Sequence, residues 1–333
     1  MIPVLQPKLS GGEVKAIAKV LKSGWWGMGG KTIEFEQEFA KFVGAKYAVM
    51  TNSCTSALDI AVRLIKLPNP VEVSAFTFIS SALAPLNAGY KVKFVDINKD
   101  SHCTPKADIQ VMYGGNIFGK GKIYDMAHCG GYHHLGQISC WSFHAVKNLP
   151  TGDGGMITMN DKKLYERAKA LSWCGIDKST FARTGKKYGW DYNITEIGLK
   201  AHGNDIMAVI GLCQLKKLKE NNEYRKKLVA TYDEYLPKEI KRPFRSSTWH
   251  LYTIEVENRD KLIDYLAENG VATSVHYKPL YKYNIFGKQK TLPNTEKAYQ
   301  RILTLPLHLN LSVKDVKKIC QLITDYAKSN RLA

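Results

Sequence analysis

The lysine in "CWSFHAVKNLPTGDGGMITMND" (Cys140–Asp161) follows an aromatic and apolar run, Trp141, Phe143, Ala145 and Val146. A Gly-rich turn and a second apolar run, Met156–Met159, come after it. An amine stripped of water holds its proton weakly, and the neutral form attacks carbonyl carbon. A lysine that snorkels to the surface does neither, and this stretch alone allows both readings of Lys147. In "KIYDMAHC" a strand ends in Asp125, with His128 three residues on. Strand carboxyl ends line ligand crevices in open α/β sheets, although an Asp there also serves as a turn cap. "TNSCTSAL" sets Ser53, Thr55 and Ser56 at a strand-to-helix junction. Unpaired amides and the helix dipole bind phosphate at such a junction, or the hydroxyls simply cap the helix. Taken together, an activated lysine, a strand-end acid and a phosphate cup are the parts that pyridoxal phosphate needs. They are an amine for the Schiff base, an anion for the pyridine nitrogen and donors for the phosphate.

Two other stretches invite chemistry and do not carry it. "HCGGYHH" offers His128, Cys129, His133 and His134, with Cys140 beyond, but the spacing matches none of the zinc loops, so no metal is expected. "SGWWGMGGKT" resembles a phosphate loop, yet five residues rather than four separate Gly24 from Gly30, and a helix rather than a strand precedes it.

The elements that must position these residues alternate between helix and strand, which predicts an α/β fold. Ser10–Glu13 has capping-box spacing and opens an amphipathic segment ending near Gly24. A second helix is predicted over Thr32–Val43, with Phe35, Phe39 and Phe42 on one face and Gly44 as its stop. "YAVMTN" reads as a strand followed directly by the helix "TSALDIAVRLI". Further strands are predicted at "VEVSAF", "KVKFVDI", "IQVMY", "KIYD", "CWSF" and "MITMN". A long helix runs from Asn204 to about Leu236. Beyond "KRPFRSST", the strand "WHLYTIEVE", the helix "RDKLIDYLAENG", the strand "VATSVHY" and a capped helix from Ser312 suggest a small α+β domain. The expected division is 1–235 and 236–333.

The bulk numbers narrow the class. A chain of 333 residues, 44% hydrophobic and 23% charged, can bury one large core or two unequal ones. It has no run of 18 apolar residues, so no membrane span is predicted. "MIPVLQPKLSGGE" lacks the layout of a secretion signal, and seven irregularly spaced cysteines read as reduced thiols, so a cytoplasmic location is expected. The net charge of +18 suits a small polyanionic substrate or solubility. The lysines are scattered, as in "KKLKENNEYRKK" with Glu220 and Glu223 interrupting, and nucleic acid is not an expected partner.

At this point the chain resembles, nearly end to end, the vitamin-B6-dependent sugar aminotransferases of the DegT/StrS family, a branch of the aspartate-aminotransferase fold (fold type I). The resemblance is carried by "SGWWGMGGKTIEFEQEFAKFVGAKYAVMTNSCTSAL", "AFTFISSALAPLNAGYKVKFVDI", "YDMAH", "SFHAVKNLPTGDGG", "GLKAHGNDIMAVIGLCQL", "WHLYTIEV", "SVHYKPL" and "LPLHLNLS". It implies a three-layer α/β/α large domain with a mixed, mostly parallel sheet and a smaller C-terminal α+β domain. By the same resemblance Lys147 would carry pyridoxal 5'-phosphate as a Schiff base and shuttle the proton. Asp125 would pair with the pyridinium nitrogen. His128 would lie against the ring or reach its phenolic oxygen, and Phe78 would stack on the opposite face. Ser142, Thr55 and Ser56 would hold the phosphate. His202 matches the position that reaches the phosphate of a neighbouring subunit, so a homodimer is expected. The implied reaction moves an amino group from glutamate to a keto sugar on a nucleoside diphosphate. Lysine rather than histidine at position 147 favours transamination over dehydration. The alternatives are another ketone such as a keto-inositol, a sugar dehydratase, or a cofactor-binding regulator.

Three departures stand out. Only nine residues, Gly114–Lys122, separate "IQVMY" from "KIYD", where relatives usually have a helix. A parallel crossover through a helix needs about a dozen, which leaves a tight glycine loop or a different placement of the strand. Tyr124 stands where the family often has a second acid, and Tyr281 stands where many relatives have histidine.

Overall fold

The computed structural model describes residues 1–178, 180–185, 190–242 and 248–330. The seven strands of the main sheet are β1 (Tyr47–Thr51), β2 (Val71–Ser74), β3 (Val92–Val95), β4 (Ile109–Val111), β5 (Ile123–Asp125), β6 (Ile138–Ser142) and β7 (Gly155–Met159). Their spatial order is β1-β7-β6-β5-β4-β2-β3. β7 runs antiparallel to both neighbours and every other pairing is parallel. All seven predicted strand segments take part.

Strand alternation divides the side chains between two helical layers. On one face Val49, Ile138, Cys140, Ile157 and Met159 pack against α3 (Cys54–Leu64) and α5 (Lys162–Ser172). On the other, Met50, Trp141 and Met156 meet Phe35 and Phe39 of α2 (Gly30–Val43) and Leu215 and Leu218 of α7 (Asp205–Tyr235). The remaining helices are α1 (Glu13–Ser23), α4 (Ser80–Asn87), α6 (Thr180–Arg183), α8 (Arg259–Glu268), α9 (Pro293–Arg301) and α10 (Val313–Asn330). The Ser10–Glu13 spacing works differently from a capping box. Glu13 accepts from the Ser10 amide and hydroxyl, while Gly12 is the residue before the helix and gives no side-chain cap. Gly29 and Gly30 open α2, and the anion at that helix start is internal. The Asp205 carboxylate accepts from the amides of Gly29, Lys31 and Thr32, so these donors are already engaged.

A second core gathers Leu228, Val229 and Tyr232 from the end of α7 with Leu262 and Leu266 of α8 and Ile319 and Ile323 of α10. It therefore begins inside α7, a few residues before the expected division at 235. Its sheet differs from expectation. β8 (Tyr252–Glu255) pairs antiparallel with β9 (Ile302–Leu305), not with the segment "VATSVHY". That segment is shared between two neighbours, with isolated bridges from Val271 to Ile2 and from Ser274 to Thr304, so no continuous ladder forms.

The short connection proves to be a glycine loop. β4 and β5 are adjacent and parallel, joined by a path holding only a 3-10 turn at Tyr113–Gly115. Strands of three residues are about 10 Å long, so the return needs no helix to span it. The buried Gln110 side chain braces the loop, donating to the carbonyls of Thr104 and Phe118 and accepting from the Thr104 hydroxyl.

Candidate active site

The carboxyl ends of β5 and β6 open on one edge, and that edge holds a cavity of about 420 Å³. Thr55, Phe78, Asp125, His128, Ser142 and Lys147 all line it. Asp125 and Ser142 are the last residues of their strands, so parallel pairing brings them to the same rim. The loop between β6 and β7 folds back over it, with the Phe143 amide bonded to Gly154 and the Thr151 amide to Phe143, and carries Lys147 inward. Gly155 allows the start of α3 to sit against β7, since a Cβ there would lie 2.4 Å from the Ser53 carbonyl carbon.

Ser56 and His202 do not line the cavity. Ser56 donates its amide to the Ser53 hydroxyl oxygen at 3.1 Å and its hydroxyl to Asn52 at 2.6 Å. His202 sits beside the end of β1, bridged to Thr51, with Nδ1 at 2.6 Å from the Gly203 carbonyl and its ring edge-on to Trp173. Its Nε2 has no partner among the described residues. Thr55 shares a hydroxyl contact of 2.7 Å with Ser80, and the Ser142 hydroxyl accepts from the His144 amide at 3.3 Å. Tyr124 turns to the other side of β5, where its hydroxyl accepts from the Gly121 amide, and Tyr281 donates to Glu296.

Burial dominates the electrostatics. It pushes the Lys147 ammonium down to about 8, with Asp125 and then the Cys54 and Cys129 thiols pulling the other way. Asp125 is pushed up by the same burial, against the Ser81 hydroxyl at 2.7 Å, the Ala127 amide at 3.1 Å and the Lys147 charge. A lysine whose amine is partly neutral near physiological pH can act as a nucleophile toward a carbonyl.

Several site residues escaped the sequence reading: Ser81, Asn148, His250, His276 and Tyr277. Their hydrogen bonds determine where the ring protons lie. The Gly114 amide donates to His128 Nδ1 at 2.9 Å, so the neutral ring carries its proton on Nε2, 3.1 Å from the Tyr277 hydroxyl. His250 is the reverse. Asn148 Nδ2 lies 2.7 Å from the Thr248 carbonyl and 2.9 Å from Asn222 Oδ1, and Asn222 Nδ2 in turn donates to the Gly130 carbonyl. Backbone carbonyls only accept, so both amides are oriented and Asn148 Oδ1 is the atom facing His250 Nδ1 at 3.2 Å. His250 Nδ1 therefore bears the proton, and its Nε2 lone pair lies 3.4 Å from Lys147 Nζ. The one local signal was the pair of short motifs "WHLY" and "SVHY", each a histidine beside an aromatic in an otherwise apolar stretch.

Known proteins share the sequence pattern and the fold. The sequence pattern of the DegT/DnrJ/EryC1/StrS aminotransferase family matches residues 7–112 and 123–324, with the gap falling in the β4–β5 loop. The chain is 31% identical to the spore coat polysaccharide biosynthesis protein SpsC of Bacillus subtilis, covering 98% of this chain and 97% of that one. It is also 31% identical to the dTDP-4-dehydro-2,3,6-trideoxy-D-glucose 4-aminotransferase of Saccharopolyspora spinosa, over 96% and 95% of the two chains. A Streptococcus pneumoniae protein described as a sugar aminotransferase, solved in its PMP form, superposes with a TM-score of 0.89 at 25% identity, over 99% and 100% of the chains. The chain belongs to the DegT/DnrJ/EryC1/StrS aminotransferase family and is a pyridoxal-phosphate-dependent aminotransferase.

Proposed function

We propose that the enzyme moves an amino group from glutamate to the C4 ketone of a nucleoside-diphosphate sugar, with Lys147 as the cofactor-bearing amine. The observation that carries this is a part-buried lysine, its amine pushed down to about 8 by desolvation, sharing one cavity with the buried Asp125 carboxyl. The choice of C4 rests on the named activity of the Saccharopolyspora relative and on a Campylobacter jejuni relative named for a 4-amino sugar. The cationic surface, +18 over the chain, suits a dianionic nucleotide.

The residues present fit pyridoxal phosphate. When bound, the cofactor supplies the electron sink that stabilises developing negative charge on the substrate carbon. Asp125, held by Ser81 and the Ala127 amide, would offer its carboxylate to the protonated ring nitrogen, and that cation would offset the burial that now raises its pKa. The first-turn amides of α3, Thr55 and Ser142 would receive the phosphate at the positive end of the helix dipole. His128 would reach the phenolic oxygen side, and the half-exposed Phe78 would cover the other face. Lys147 Nζ would take a proton from the donor carbon and return it during the amino shift.

A homodimer with shared sites belongs to the same proposal. It is supported by the exposed apolar residues Trp190, Ile194 (62%) and Ile197 (88%), which precede His202 in the chain and which a second copy would cover. Among the described residues no helix is long and apolar enough to cross a membrane, and all seven cysteines are free, which agrees with a cytoplasmic location.

The test is a half-reaction. Enzyme loaded with pyridoxamine phosphate is mixed with dTDP- or UDP-linked 4-keto sugars, their 3-keto isomers and a keto-inositol. Return of the pyridoxal absorbance with a 4-keto nucleotide sugar supports the proposal. Return only with keto-inositol, or with none of them, refutes it.

A further inference from the structure

We propose that His250 orients Lys147 by accepting a hydrogen bond from its amine, and that Asn148, the residue next to the lysine, sets the imidazole tautomer that makes this possible. The inference rests on Lys147 being the cofactor-bearing amine. Lys147 Nζ carries only donors when charged, and the lone pair of His250 Nε2 is 3.4 Å away. The amide orientations behind that bond are fixed by their partners. Thr248 O and Gly130 O, which can only accept, fix the two asparagines, and Asn148 Oδ1 then requires a proton on His250 Nδ1.

The consequence is directional. A lysine side chain has a long flexible stem, and a free amine would rotate its lone pair over every heading. Anchoring one N–H to His250 restricts that rotation and lowers the orientational barrier to attack. The groups facing Lys147 are Asp125, Cys54, Cys129, His128 and His276. Those facing His250 are Lys147, His128, Arg225 and His276. Burial, followed by the Lys147 charge, holds His250 neutral, so it serves as an acceptor rather than as a second cation. The chain of bonds also crosses the molecule. Asn222 lies on α7, Asn148 on the β6–β7 loop, and His250 just before β8, so lysine orientation depends on the C-terminal segment being docked.

Two measurements test this, neither of them turnover. In the apoenzyme with ¹⁵N-labelled histidine, His250 should show a protonated Nδ1 and a bare Nε2 between about pH 6 and 9. A proton on Nε2 overturns the proposal, and this readout needs no variant to fold. The second is the pH dependence of pyridoxal phosphate capture by the apoenzyme, which requires the neutral amine and should rise through a midpoint near about 8. An acceptor stabilises the ammonium more than the amine, so His250→Leu should move the midpoint to lower pH by about one unit. His250→Gln, whose carbonyl can accept, should bring it back toward the wild-type value. An unchanged midpoint in His250→Leu, with borohydride still fixing the cofactor on Lys147, sinks the proposal alone. Fixation on another residue in the wild type would instead overturn the functional reading beneath it.

Discussion

The imidazoles of His128 and His250 lie 4.5 Å apart, centroid to centroid and tilted by 39°, and carry their protons on opposite nitrogens. Burial, followed by the Lys147 charge, pushes both well below the usual histidine range. They therefore add directed polarity without charge, and the cavity's balance of charge is decided between Lys147 and Asp125. His128 presents an N–H toward Tyr277, leaving that hydroxyl free to donate toward the cavity, whereas His250 presents a lone pair toward the lysine.

If Lys147 is the reacting amine, Lys147→Ala removes both attachment and proton transfer. Borohydride treatment of the pyridoxal-phosphate-loaded variant should leave no covalent adduct by mass spectrometry. The half-reaction with glutamate should slow by about 100-fold to 10,000-fold. A half-reaction within a few-fold of the wild type would rule out that role.

Asp125→Asn keeps the shape and removes the charge. The glutamate half-reaction should fall on the order of 100-fold to 1,000-fold through loss of ring-nitrogen pairing. Stability of the apoenzyme should move the other way. Burial raises the folded-state pKa of Asp125 above its ordinary value of 3.8. Its contribution is thus complete at low pH and lost as pH rises through the folded-state value, where a buried carboxylate must ionise. Differential scanning at pH 7.5 without cofactor should show Asp125→Asn melting above the wild type, with the two curves converging near pH 4.

Glu36 gives a second pH dependence, remote from the cavity. It is buried in α2 with Oε1 accepting from the Met50 amide at 2.7 Å, and burial raises it from 4.5 to about 7. The sign follows that of a raised acid: its stabilising share is full below about 4.5 and lost as pH rises through about 7. The difference amounts to on the order of 3 kcal/mol. Glu36→Gln retains the acceptor and should flatten the fall in unfolding free energy between pH 5 and 7.5, measured by urea titration. A slope equal to the wild type's would show that Glu36 does not titrate in this range.

The parts of this site that were legible in the sequence are those whose neighbours in the chain are also their neighbours in space. Asp125 and Ser142 end strands, Thr55 sits one residue into a helix, and Lys147 stands between two strand segments, so local pattern reveals them. His250 bonds Lys147 from 103 residues away, and Tyr277 reaches His128 from 149 away, so neither has a local signature of its role. Ser56 shows the opposite limit. A hydroxyl at a helix start reads equally as cap or phosphate ligand, and the bonds of Ser56 to Asn52 and Ser53 are compatible with both. β9 was missed because four residues, three of them apolar, directly following a helix cannot be told from the helix end by periodicity.

The glycine loop between β4 and β5 should be intolerant of side chains in a way that ordinary left-handed glycines are not. Gly119 has φ +85°, and a Cβ there would lie 2.2 Å from the Thr104 carbonyl oxygen and 2.7 Å from Gln110 Nε2, the atoms that brace the loop. Gly44, at φ +72°, has nothing within 4 Å of the same position. Gly44→Ala should therefore cost only the backbone penalty of about 1 kcal/mol. Gly119→Ala must also displace backbone or break the Gln110 bonds, which brings the loss to about 3 kcal/mol or more. Melting temperatures of the two variants compared with the wild type measure the difference. Because the same connection supplies the Gly114 amide to His128, Gly119→Ala should also weaken pyridoxal phosphate binding, while Gly44→Ala leaves it unchanged. Equal melting shifts for the two would show that the loop yields, and that Gln110 does not hold it.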